Sequence, residues 1–269
     1  MRSAPQNLTR LLTLVTGTFR PPPGRARIAL AFAYGMVCHT IFAAAVLAMI
    51  FAMFFGMSKS LGSLPAPWSY LANAALILQF PIMHSLLLSR LGSRLLRYLA
   101  PRQYAGTLST TTYAIIASLQ LLMLFALWTP SGIIWWQASG LAFFAMCALY
   151  ATSWLLLLKA SFDAGAEVQS GALGWMSLAQ NIKPVFPDMP TTGLFRIIRQ
   201  PIYVAFALTL WTVPVWTPDQ LILAICLTGY CLVAPMLKER RFKRRYGAQF
   251  DSYKARVPYA IPRLRARSR

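Results

Sequence analysis

The sequence predicts an all-α, polytopic membrane protein of about six transmembrane helices, ending in a helical hairpin and a basic tail. Three observations predict it: a shortage of charge, long apolar runs, and positive charges confined to alternate loops. Hydrophobic residues fill 57% of the 269 positions and charged residues only 12%, against roughly 25% in an ordinary soluble domain. Such a composition suits lipid as the solvent.

Residues 1–27 hold five Arg and the triplet Pro21, Pro22 and Pro23. They lack the short apolar core of a secretory signal. They read as a cytoplasmic basic arm, with a short amphipathic helix near 8–15 lying on the membrane surface. Five apolar runs follow, at 28–57, 68–88, 111–128, 133–158 and 221–237. Each approaches or exceeds the ~20 residues that cross a ~30 Å hydrocarbon core. A sixth, 202–216, has 15 residues and reaches roughly 22 Å as a helix. Thr217-Pro218-Asp219-Gln220 joins it to the last run. That predicts a tight helical hairpin, with Pro218 near the start of its second helix. The chain therefore divides into the arm, a transmembrane domain at 28–237, and a cytoplasmic C-terminal segment at 238–269.

The charge distribution orients the spans. With six crossings, 25 of the 26 Lys and Arg fall on one side, and only Lys59 on the other. The positive-inside rule puts both termini in the cytoplasm. The same asymmetry accounts for the formal charge of +20 through anionic lipid head groups, with no call for nucleic acid. Trp68, Trp128, Trp135, Trp136, Trp211 and Trp216 fall near span boundaries, where indole rings anchor at the interface.

Several chemistries find no support. There is no dinucleotide fingerprint, P-loop or H-E-x-x-H. With six acidic residues in all, the chain is too poor in carboxylates for a dinuclear metal site, and no metal ligand is predicted. Cys38, Cys147, Cys226 and Cys231 lie in apolar runs without zinc spacing and read as small hydrophobic residues. Two histidines, His39 and His84, are the ionisable residues within spans. Polar residues concentrate at 162–199 and 238–263, on either side of the hairpin. Closing the hairpin brings Arg199, Gln200 and Tyr203 toward Glu239 and Arg240. Glu239 would then meet a ligand or form a salt bridge with Arg199 or Arg240.

Those residues carry a resemblance. Gly193-Leu194-Phe195-Arg196-Ile197-Ile198-Arg199-Gln200-Pro201-Ile202-Tyr203 resembles the G-L-[YF]-R-x-x-R-H-P-x-Y motif of integral membrane methyltransferases. That group includes isoprenylcysteine carboxyl methyltransferases and phospholipid methyltransferases. Their second motif, E-E-x-x-L-x-x-x-[FH]-G-x-x-[YF]-x-x-Y-x-x-x-V-P, is similar to 238–258, with Glu239, Gly247, Phe250, Tyr253, Val257 and Pro258 in register. His84-Ser85, Tyr113 and Trp128-x-Pro130 look like the bacterial branch of methanethiol S-methyltransferases and NnrU-like proteins. Two departures stand out: Gln200 replaces His, and Lys238 replaces the first Glu. Gln cannot titrate, so a general base at 200 is lost.

The resemblance implies S-adenosylmethionine as methyl donor and a bacterial inner-membrane location. It implies a cofactor site of Gln200, Pro201, Tyr203, Glu239, Arg240 and Tyr253, with Arg199 and Glu239 nearest the chemistry. The implied acceptor is a small thiol such as methanethiol, or a lipophilic substrate entering from the membrane. Thiol methylation tolerates the missing His best, because a thiolate needs no further base. Two alternatives stay open on sequence. One is a non-catalytic NnrU-like protein, haem- or transport-linked through His39 and His84. The other is a structural subunit docking through 1–27 and 263–269.

Overall fold

The computed structural model describes residues 4–263; residues 1–3 and the basic run 264–269 lie outside the described residues. The chain folds into α1 (Ala4–Thr18), α2 (Arg25–Phe54), α3 (Trp68–Leu87), α4 (Arg90–Tyr98), α5 (Ala105–Ala126), α6 (Gly140–Asp163), α7 (Ala166–Gln169), α8 (Ala172–Ala179), α9 (Pro201–Trp211), α10 (Pro218–Tyr246) and α11 (Ala248–Arg256). Five of these, α2, α3, α5, α6 and α10, are long and apolar enough to cross a membrane. Leu141, Phe144, Leu155 and Leu158 of α6 stand exposed, an outer surface suited to lipid rather than water.

The predicted sixth run is a shorter helix than its apolar length suggested. α9 has 11 residues, roughly 16 Å of rise. Val213 and Pro214 then leave the helix, and β2 (Val215–Trp216) pairs antiparallel with β1 (Trp136–Gln137). α9 packs between α6 and α10. α10 begins at Pro218, with the Thr217 hydroxyl accepting the Gln220 amide proton at 2.9 Å; that is an N-cap followed by proline at N1.

The far end of this hairpin is tied by several buried hydrogen bonds, although Gln220 Oε1 is left without a partner among the described residues. Asp219 accepts from Trp128 Nε1 at 3.0 Å, and from the Ser131 amide and hydroxyl at 3.0 and 2.5 Å. Gln220 donates to the Leu210 carbonyl, and Thr217 to that of Gly56. Beneath lies the main core, where Met53, Leu124, Phe125, Trp128, Leu210 and Leu227 meet. Trp128 therefore departs from the predicted row of interfacial anchors: it is 2% exposed, whereas Trp68 and Trp135 are 63% and 58% exposed. Its indole N–H has a buried carboxylate as partner, which makes burial affordable.

The stretch 159–200 is more ordered than its polar composition suggested. α8 is buried against α2 and α5. The approach is close because a Cβ at Gly174 would strike the side chains of Thr110 and Thr111, and Gly171 takes a positive φ of 76°. Thr111 donates to the Gly171 carbonyl at 2.7 Å and accepts from the Trp175 amide at 2.9 Å. The basic arm folds onto the same region. Buried Arg27 donates to the carbonyls of Leu178 and Ala179 at the end of α8, a cation placed on a helix C-terminus. Arg10 pairs with buried Glu167, and Asn7 donates to the Asp163 carbonyl. The helix expected at 8–15 is thus longer, and it docks on α8.

Candidate active site

The two motifs meet where α9 begins and α10 nears its end. Arg199 Nε and Gln200 Nε2 both donate to Glu239 Oε1 at 2.8 Å. Arg199 Nη1 reaches the carbonyls of Lys254 and Val257, and its amide donates to Pro258. The Gln200 amide donates to Tyr259. One buried guanidinium therefore holds the start of α9, the end of α10 and the segment after α11 together. With Glu239 it forms a charge-assisted node, stronger than neutral hydrogen bonds.

Other motif residues serve the same junction. Gly193 takes φ +58°, and a Cβ there would collide with the Asp163 carboxylate. That carboxylate accepts the Leu194 amide proton at 2.8 Å and pairs with Lys159. Tyr253 donates its hydroxyl to the Phe195 carbonyl at 2.6 Å. Tyr259 donates to Leu232 and lies under Arg199, 5.4 Å from the guanidinium. Burial pushes both phenols upward from their ordinary value, so each stays a donor.

Beside this junction lies a cavity of about 420 Å³, within the ~300–1,000 Å³ usual for small-ligand sites. Its inner wall is apolar, with Met49, Leu121, Leu157 and Phe206, and one polar pair. His84 lines that wall, its ring nitrogens 2.7 and 2.9 Å from the Tyr113 hydroxyl, with Phe80 and Tyr230 packed around it. Its mouth carries Asp188, Arg245 and Tyr246. Lys238 Nζ sits among the rings of Phe195, Tyr203 and Phe242.

The predicted residues divide among several places around the junction. Tyr203 lines the cavity, and Lys238 joins it there. Arg199, Glu239 and Arg240 line a neighbouring open groove that is rich in Arg and Lys. Gln200 lines a smaller apolar cleft that shares Tyr203 and Cys231 with the cavity. Its Oε1 is buried without a hydrogen-bond partner among the described residues. Pro201 is buried at the first turn of α9, and Tyr253 faces the other side of the junction. His39 lies outside the cavity lining, accepting from Trp175 Nε1 at 3.1 Å, so the two histidines have separate partners. The Tyr113 partner of His84 was not derivable from spacing; it needs α3 and α5 side by side.

Comparison with known proteins bears on what this cavity is for. The chain is 31% identical to methanethiol S-methyltransferase 2 of Bradyrhizobium diazoefficiens over 159 residues, 59% of this chain and 61% of that protein. It is 27% identical to methanethiol S-methyltransferase of Pseudomonas deceptionensis over 214 residues, 78% and 80% of the two chains. The chain is similar to methanethiol S-methyltransferases over most of its length. A third such relative, from Pseudomonas sp., is 27% identical over 235 residues, 86% of this chain and 89% of the other. The match to the Bradyrhizobium methanethiol S-methyltransferase spans about three fifths of that protein, whereas the Pseudomonas matches take in most of each partner. No family model matches the chain, and no solved structure matches it.

Proposed function

We propose that the chain is an integral membrane methyltransferase that transfers a methyl group from S-adenosylmethionine to a small thiol of the methanethiol type. The observation that carries this reading is the apolar cavity lined by residues of both motifs, in a chain similar to methanethiol S-methyltransferases. Two features fit the donor. Lys238 places a cation among three aromatic rings inside the cavity, and Gln200 Oε1 is a buried acceptor in want of a donor.

S-adenosylmethionine supplies an electrophilic methyl group on a sulfonium. Tyr203, Phe195 and Phe242 would line its site, and Gln200 would accept from one of its polar hydrogens. Arg199 and Glu239, paired with each other, act by positioning these groups; Pro201 starts the helix that carries Tyr203, and Tyr253 braces Phe195. Arg240 and the basic groove hold anionic head groups. The inner wall admits a small apolar thiol and excludes water, and the His84–Tyr113 pair gives its sulfur one polar contact.

We place α9 as the sixth crossing, spanning with the help of 212–216. Both termini and the cavity mouth then face the cytoplasm, which holds 25 of 26 Lys and Arg. Calorimetry with S-adenosylhomocysteine on detergent-purified protein tests the reading, with acceptors ranked by labelled methyl transfer. Micromolar binding and preference for a small thiol are expected. No binding by folded protein overturns it, and preference for an isoprenoid or lipid acceptor overturns the acceptor assignment.

A further inference from the structure

Lys238 stands where the resembling motif has a carboxylate, and the structure gives this reversal a physical setting. Its Nζ lies 5.6 Å from the ring centroid of Phe195, 5.5 Å from Tyr203 and 5.7 Å from Phe242. All are within the ~6 Å over which an aromatic face attracts a cation. No carboxylate pairs with it among the described residues.

The three rings come from three elements: the 193–196 turn, α9 and α10. All three line the cavity together with Lys238. The cage is held from outside. Phe195 is 2% exposed, its carbonyl accepts from Tyr253, and the preceding Leu194 amide donates to Asp163. Tyr203 follows the Arg199–Glu239–Gln200 node by one turn. The rings are therefore preorganised around a single positive charge.

We infer that this cage is the recognition site for the onium centre of the methyl donor, and that Lys238 is a built-in stand-in that fills it in the free protein. The inference rests on the methyltransferase reading and assigns the group that distinguishes donor from product. An ammonium is compact and strongly hydrated, so a site of hydrocarbon faces holds it poorly. A sulfonium carries its charge on a centre surrounded by carbon, the kind of cation that aromatic cages select. Two unit positive charges cannot share the cage without repulsion, so Lys238 leaves when an onium enters. Its four-carbon stem lets it turn toward the mouth, where Asp188 lines the same cavity. Once the sulfur is a neutral thioether, the cage has lost its cation, and Lys238 returns. The side chain thereby favours release of product over retention.

The test compares affinities of the full-length protein for S-adenosylmethionine and S-adenosylhomocysteine by calorimetry. These ligands share every group except the methyl and its charge, so their affinity ratio isolates the cage from other contacts. Tyr203→Leu, or Phe242→Leu should the first fail to fold, is expected to lower the donor-to-product ratio about tenfold. Lys238→Met is expected to raise it several-fold. If both ligands bind and the ratio stays within twofold across wild type and variants, the cage assignment is overturned while the methyltransferase reading stands. If folded wild type binds neither ligand, the reading beneath it falls, and the cage assignment falls with it.

Discussion

The α9–α10 hairpin carries buried polar groups at both ends, and the two ends use them differently. At the far end Asp219 receives three hydrogen bonds, and Thr217 anchors its turn to Gly56. At the near end Glu239 is satisfied by Arg199 and Gln200, and the Lys238 ammonium has aromatic rings rather than a carboxylate around it. Burying a polar atom without a partner costs stability. Each end leaves one buried amide oxygen unpaired among the described residues, Gln220 Oε1 at the far end and Gln200 Oε1 at the near end, so what sets the near end apart is the cavity that borders it. The packing agrees: the far end sits on the main core, whereas the near end borders the cavity.

Substitutions at the two ends should separate stability from ligand binding. The largest expected effect is Asp219→Ala, which strands the Trp128 indole N–H and both Ser131 donors. A loss of about 3 kcal/mol is expected, read as a lowered midpoint of thermal unfolding in detergent, with S-adenosylhomocysteine affinity unchanged in the folded fraction. Equal loss of affinity and stability would erase the distinction between the ends. Glu239→Ala leaves Arg199 buried without its carboxylate. About 2 kcal/mol of stability should go with it, along with protease resistance of the 247–263 segment that Arg199 holds. Glu239→Gln should keep ligand affinity within threefold, as a positioning role requires; a hundredfold loss would make Glu239 a direct ligand.

Smaller effects sharpen the contrast. His84→Phe keeps the apolar wall but removes the partner of Tyr113. Turnover should fall about tenfold, equivalent to ~1.4 kcal/mol in the barrier, with the unfolding midpoint nearly constant. Trp128→Phe removes one of three hydrogen bonds to Asp219 and should cost about 1 kcal/mol, with turnover per folded molecule unaltered.

The spans were legible in the sequence because hydropathy accumulates over twenty residues, and the hairpin because Thr217-Pro218 marks a helix start in one dipeptide. The Arg199–Glu239 pair was legible because fixed motif spacing brings the ends of one hairpin together. α8 was not: eight residues are too few for a span signal, and its burial depends on α2 and α5 leaving a slot that Gly171 and Gly174 can enter. Trp128 carried the same signal as Trp68 and Trp135, since position near a span end is shared by anchors and by core residues that happen to meet Asp219. Lys238 read as a lost carboxylate, because the rings around it come from three elements, two of them remote in sequence.

The most direct test of the account is methyl transfer from S-adenosylmethionine with a deuterated methyl group to methanethiol, followed as labelled dimethyl sulfide in the headspace. Wild type is compared with Leu157→Trp, which fills the apolar inner wall of the cavity. The account predicts labelled product from wild type, and its loss in the variant with S-adenosylhomocysteine binding retained. Undiminished product formation from the filled cavity, or none from folded wild type that binds the donor, would contradict it.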